Sequence, residues 1–119
     1  MKIETYVIES IKISEIVADG IILETLEDGL DLLGNLYYQG TDKIIIYEKN
    51  ITPAFFDLKT GIAGDILQKF AQYGMPLVIV GDFSKYGSKS LNNFILESNK
   101  GKHIHFVASR SEAIKSLSI

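Results

Sequence analysis

The apolar and polar positions of this chain follow two periods in turn. Between residues 6 and 16 the period is close to two. Val7, Ile11 and Ile13 share one parity, with Ser10, Lys12 and Ser14 on the other, which predicts a half-exposed strand. Asp19-Gly20 has hairpin-turn chemistry, so Ile21-Ile22-Leu23 is expected as a short second strand. The period then becomes helical. Leu26, Leu30, Leu33 and Tyr37 fall on one face, behind Thr25 and Asp28 at capping-box spacing, and Gly40 is placed to end the helix. Ile44-Ile45-Ile46-Tyr47 and Leu77-Val78-Ile79-Val80 are unbroken apolar runs, as expected of central parallel strands buried on both faces. Between them the pattern predicts a helix over 60–73, with Ile62, Ile66, Phe70 and Tyr73 inward, Asp65, Gln68, Lys69 and Gln72 outward, and Gly74 closing it. Ser90 is expected to cap a helix carrying Leu91, Phe94 and Ile95, which Gly101 ends. Residues 103–107 read as a last strand. Ser109 and Glu112 then form a second capping box ahead of Ala113, Ile114 and Leu117.

The order is strand, strand, helix, strand, helix, strand, helix, strand, helix. Strands alternating with helices imply an α/β fold, a mostly parallel sheet with right-handed crossovers and about four helices, edged by an N-terminal antiparallel hairpin. Residues 1–119 fit one domain with one core.

Composition narrows the functional classes. Hydrophobic residues make up 46% and charged residues 23%, which is globular rather than disordered. The net charge is −3 and the twelve basic residues are scattered, so neither a nucleic-acid footprint nor a membrane-surface patch is present. No apolar run approaches the length of a membrane span, and the N-terminus has no signal-like apolar core. With no cysteine there is no disulfide, thiol nucleophile or cysteine metal site, and a cytoplasmic location is expected.

Candidate chemistry gathers where an open α/β sheet puts it, at the carboxyl ends of the strands. Thr60 and Gly61 stand at a helix start, beside free backbone N–H groups. The plain reading of Thr60 is an N-cap; the functional one is a phosphoacceptor or anion contact. Asp82 follows Val80-Gly81 at a strand end and is either a turn residue bonded to Ser84 or a carboxylate brought near Thr60. His103 and His105, two apart on the expected strand, share a face without an evident third metal ligand. Phosphate-loop and dinucleotide fingerprints are missing, no catalytic constellation stands out, and no metal or cofactor is called for.

Two resemblances follow from particular segments. Residues 55–69, Val80-Gly81-Asp82-Phe83-Ser84 and Phe94-Ile95-Leu96-Glu97-Ser98-Asn99-Lys100-Gly101 resemble a bacterial family, domain of unknown function 4180, which implies a bacterial source and no assigned activity. More distantly, the layout is similar to STAS domains of the anti-sigma-factor-antagonist type. Those open with a hairpin and carry Asp-Ser-Ser-Gly-Leu at the second helix, where the residue before glycine is phosphorylated in many members. Asp57-Leu58-Lys59-Thr60-Gly61-Ile62-Ala63 is similar, with one extra residue between the aspartate and the hydroxyl. The closing Val107-Ala108-Ser109-Arg110-Ser111-Glu112-Ala113 is also similar to that group. The first expectation is a non-enzymatic regulatory or interaction domain that binds a protein partner through the second helix and the adjacent strand-end loops, gated by phosphorylation or anion binding at Thr60 and Gly61, with Asp57, Lys59, Asp65, Asp82 and Ser84 on the binding surface. The alternative is a small-ligand or nucleotide-binding domain using the strand-end pocket near Thr60 and Asp82. A third expectation is a homodimer, with Val7 and Ile11 on the hairpin edge meeting across a two-fold axis.

Overall fold

In a computed structural model, which describes residues 1–117, the chain forms one five-stranded sheet with four helices. The elements are β1 (Lys2–Ile8), β2 (Ile11–Val17), α1 (Leu26–Tyr38), β3 (Lys43–Tyr47), α2 (Ile62–Gln72), β4 (Leu77–Val80), α3 (Lys89–Lys100), β5 (Ile104–Val107) and α4 (Arg110–Leu117). The strands lie in chain order; β1 is antiparallel to β2 and every other pair is parallel. Element order and the antiparallel edge are as expected.

The hairpin sits elsewhere than predicted. It closes at Glu9-Ser10, both at positive φ (51° and 70°), rather than at Asp19-Gly20. That pair of backbone angles is the primed turn whose twist suits two antiparallel strands, here supplied without glycine. Residues 18–23 are instead a loop stitched to the end of β3. The Asn50 side-chain amide donates to the carbonyls of Ala18 (2.8 Å) and Gly20 (2.9 Å), and Ile22 N–H and Leu23 N–H donate to the Asn50 carbonyl. Only Leu23 keeps a β contact, an isolated bridge to Ile51.

Three crossovers step across the sheet in one direction, which carries α1, α2 and α3 to one face. There Ile44, Ile46, Leu77, Ile79 and Phe106 pack against Leu32, Leu36, Ile66, Phe70 and Leu91. On the other face Ile13, Ile45, Val78 and Val80 meet Ala113 of α4. Adjacent residues of β3 and β4 thus feed opposite cores, which is why both runs are apolar without alternation.

Within α1 the buried set is Gly29, Leu32, Leu33 and Leu36. Leu26, Leu30 and Tyr37, expected inward with Leu33, are exposed. The rotation follows from the α1–α2 contact: a Cβ on Gly29 would lie 3.2 Å from Ile66 Cγ2, so the bare backbone of α1 is what faces α2. The capping box at Thr25 and Asp28 forms as predicted. Helix α2 begins at Ile62 rather than residue 60 and buries Ala63, Ile66, Leu67 and Phe70, leaving Tyr73 exposed beyond its end. Ser88, not Ser90, caps α3 by accepting from Leu91 N–H at 3.1 Å. At α4, Ser109 accepts from Glu112 N–H (3.2 Å), while the Glu112 carboxylate returns to Ala108 N–H (3.1 Å). Ala113 is buried as expected; the side chain of Leu117 lies outside the described residues.

The two edges of the sheet are finished differently. Along β5, Asn99 of α3 receives Phe106 N–H at 2.7 Å and donates to the Phe106 carbonyl at 3.1 Å, so one amide side chain takes the place of a neighbouring strand. Strand β1 has only β2 beside it. Among the described residues no helix is long and apolar enough to cross a membrane.

Candidate functional site

The carboxyl ends of β3 and β4 open onto two loops that carry the predicted site residues. After β3 come three short 3-10 turns, Glu48–Asn50, Pro53–Phe56 and Leu58–Thr60, and then α2. Thr60 is exposed. Its hydroxyl lies 2.8 Å from the Ala54 carbonyl and 2.9 Å from the Asp57 carbonyl, and accepts from Ile62 N–H at 3.3 Å. The Asp57 carboxylate accepts from Lys59 N–H at 3.2 Å. Gly61 takes the left-handed conformation (φ 77°) that turns the chain from the 3-10 turn into α2, a conformation that costs other residues about 1 kcal/mol or more. Asp65 is exposed in the first turn of α2.

Asp82 leaves β4 on the same rim but faces its own loop. Its carboxylate accepts from the Ser84 hydroxyl (2.6 Å) and Ser84 N–H (3.1 Å), and these two bonds hold the Asp82 carboxyl below its ordinary range. The structure therefore bonds Asp82 to Ser84, and Thr60 to Asp57, and aromatic rings of the two loops meet one another. Phe56 stacks on Tyr86 (4.9 Å between centroids) and meets Phe83 at 5.7 Å. Glu48 locks the loops together beneath, accepting from Lys85 Nζ (2.7 Å) and the Tyr86 hydroxyl (2.5 Å). Burial, and then that carboxylate, push the Tyr86 hydroxyl up. A Cβ on Gly81 would fall 2.5 Å from Glu48 Cβ, so this crossing of loops depends on glycine there.

Asp82 and Ser84 border a crevice of about 480 Å³, with Asn92 and Leu96 of α3 and Phe106 and Val107 of β5. Strand β4 continues to α3 on one face and β5 to α4 on the other, so adjacent connections diverge here. Such a divergence is where open α/β sheets form ligand crevices.

Two features escaped the sequence reading. The first is a polar cluster on the α4 face. Glu15, 4% exposed, accepts from the Tyr47 hydroxyl and from Arg110 Nε, 3.1 Å from each oxygen. The Arg110 guanidinium lies 5.3 Å over the Tyr6 ring. Burial, and next the Glu15 carboxylate, push Tyr47 up to about 12. The signal was present: Glu15 has the parity of Ile11 and Ile13, a charge on an apolar face. A cavity of about 220 Å³ adjoins it, lined by Tyr47, Lys49 and Asn50 among others; the Asn50 side-chain oxygen is buried without a partner. The second is a groove of about 430 Å³ between α1 and α2, lined by Leu30, Leu33, Gly34, Tyr37, Tyr38 and Tyr73. Its signal was an apolar arc on α1 too wide for one buried face.

The two histidines do not share a strand. His103 precedes β5 and is exposed, and His105 Nε2 lies 2.9 Å from the Gly101 carbonyl.

Fold and rim together define an open α/β domain with a mixed sheet and helices on both faces. The chain matches the family described as a domain of unknown function (DUF4180) over residues 8–117, and it belongs to that family. No curated protein and no solved structure is matched.

Proposed function

We propose that this is a non-enzymatic, bacterial regulatory domain of STAS-like design, which docks a protein partner on the groove between α1 and α2. The observation that carries this reading is the aromatic surface left open there. Tyr38 is 94% exposed, Tyr37 60% and Tyr73 58%, with Leu30 beside them. Tyrosine presents large, stiff contact area with a polar tip, the composition that concentrates binding energy at interfaces. The STAS-like part rests on the opening hairpin, the element order and the Thr60-Gly61 pair immediately before the second helix. Thr60 is the candidate switch, because a phosphate there adds about two negative charges at the positive end of α2.

The test is retention of partners from the source cell by the wild-type domain, by Tyr37→Ser/Tyr73→Ser and by Thr60→Glu, each checked for an unchanged melting temperature. The groove reading expects the double variant to lose the proteins that the wild type retains. Equal retention overturns it. Thr60→Glu is expected to change retention without unfolding the domain; equal loss of stability in Thr60→Glu and Thr60→Ala assigns Thr60 to capping alone.

A second reading is favoured by the crevice at the ends of β4 and β5. It offers an ionised Asp82, the Ser84 hydroxyl and the Asn92 amide over apolar walls; among the described residues its lining holds no cation, with Lys85 close enough to act on Asp82 from outside it. That chemistry suits a small neutral or cationic ligand with hydrogen-bond donors better than a nucleotide phosphate. A thermal-shift screen of amines, nucleosides and nucleotides tests it, since a ligand bound to the native state raises the melting temperature.

A further inference from the structure

We infer that β1 is a self-association edge, on which a second copy of this chain adds its own β1 antiparallel about a two-fold axis at Thr5. The backbone fixes which groups are available. The two-residue turn at Glu9-Ser10 makes Ile8 and Ile11 the closing hydrogen-bonded pair, so Tyr6, Glu4 and Lys2 also spend their N–H and C=O groups on β2. The same alternation sends the Lys12 carbonyl to the far side of β2, where it accepts from Asp42 N–H at 2.8 Å. The N–H and C=O groups of Ile3, Thr5 and Val7 therefore point outward from β1. Seven residues pair in unbroken register with no proline and no bulge to obstruct edge pairing, and the charges of the strand, Lys2 and Glu4, lie at its start. The other edge is occupied by the Asn99 side chain at Phe106.

The register about Thr5 is self-complementary. It sets Ile3 opposite Val7 of the second copy, Thr5 opposite Thr5 and Val7 opposite Ile3. All three outward-bonding residues of each copy thus form hydrogen-bonded pairs, and their β-branched side chains share the side of the sheet that carries α1, α2 and α3. On the opposite side Glu4 faces Tyr6 and Lys2 faces Ile8, so no like charges meet. Glu4 already accepts from its own Tyr6 hydroxyl at 3.1 Å, and the Tyr6 of the second copy brings the same donor to the other side of that carboxylate. Val7, 69% exposed in the single chain, gains an apolar neighbour. The pairing joins two five-stranded sheets into one. It uses a surface separate from the α1–α2 groove.

Because the chain has no cysteine, a single introduced thiol reports the register without background. Directly opposed residues have Cβ atoms about 4.5–5.5 Å apart, within reach of a short bis-thiol cross-linker. Two Val7 positions would stand about 13–14 Å apart along the strands, out of its reach. Thr5→Cys is expected to cross-link as a dimer and Val7→Cys to stay monomeric. In parallel, the mass of the wild type by light scattering or sedimentation should rise with concentration toward twice 13.2 kDa. Thr5→Pro, which removes an outward N–H and spares the β1–β2 ladder, should hold the monomer mass at an unchanged melting temperature. If Thr5→Pro fails to fold, the cross-linking pair still decides. A monomer mass up to about 1 mM overturns the inference, since specific association weaker than that is negligible. So does cross-linking at Val7 but not at Thr5, or a thiol at Leu30 that cross-links in place of Thr5, which would put the self-contact in the α1–α2 groove.

Discussion

Gly81 and Glu48 hold the rim of the sheet through a contact that admits no side chain on the glycine. Gly81→Ala puts a methyl 2.5 Å from Glu48 Cβ, and the cost is separation of the two loops. We expect a loss of about 1–3 kcal/mol, typical of an overpacked site, measured by urea denaturation. Glu48→Ala in the same background should not recover it, because alanine keeps the Cβ that the new methyl meets. Tyr47 gives a pH signature. Its folded pKa of about 12 stands above the ordinary value of 10.0, so the folded state favours the protonated phenol. The resulting stability is complete below pH 10 and is lost as pH rises from 10 through about 12. Tyr47→Phe should flatten that alkaline decline, measured as unfolding free energy from pH 9 to 12; an unchanged slope would place the decline on other groups. At this scale the sequence was least legible. Asp57, Asp82 and Ser84 announce turns and make them, whereas Thr60 reads as the cap of α2 but Gly61 holds that position and the Thr60 hydroxyl bonds back into the turn before it. The Glu15–Tyr47–Arg110 cluster joins residues far apart in the chain, and its local trace is the charge of Glu15 on an apolar face.

Elements are formed by local signals and oriented by distant ones. The helices of this chain could be read because caps, periodicity and closing glycines agree, as at Thr25 and Asp28. Which face of α1 turns inward could not. Leu26-Leu30-Leu33-Tyr37 and Gly29-Leu32-Leu33-Leu36 are both plausible stripes, and the choice is made by Ile66 of another helix. The hairpin differs for a related reason: Asp19-Gly20 carries the glycine signal of a tight turn, and Glu9-Ser10 turns without one. The edge of β5 shows one side chain acting for a whole element. Asn99→Ala removes two hydrogen bonds to Phe106 and should lower stability by about 1–2 kcal/mol. Amide exchange would show the loss concentrated at Phe106 N–H, whereas uniform loss across the sheet would mean that Asn99 serves the helix rather than the edge.

For the molecule as a whole, alternation of strands and helices was enough to give the class and a mostly parallel sheet with an antiparallel edge, because crossover handedness leaves few arrangements. It did not say that α4 alone would cover the second face. That face is tied down by Ala113 and by Arg110 reaching to Glu15. Removing Arg110 leaves a buried carboxylate with the neutral hydroxyls of Tyr47 and Tyr6 beside it. With the arginine about half exposed, Arg110→Ala should lower stability by less than the loss of a fully buried pair would. Deuterium uptake should then rise first in α4; protection unchanged there would mean that Ala113 and Ile114 suffice to hold the helix.

The amide of Asn99 also limits how such molecules can accumulate. With the N–H and C=O of Phe106 already taken on one margin, pairing of two copies through the other would leave a closed pair with little to offer a third, instead of a start for a fibre.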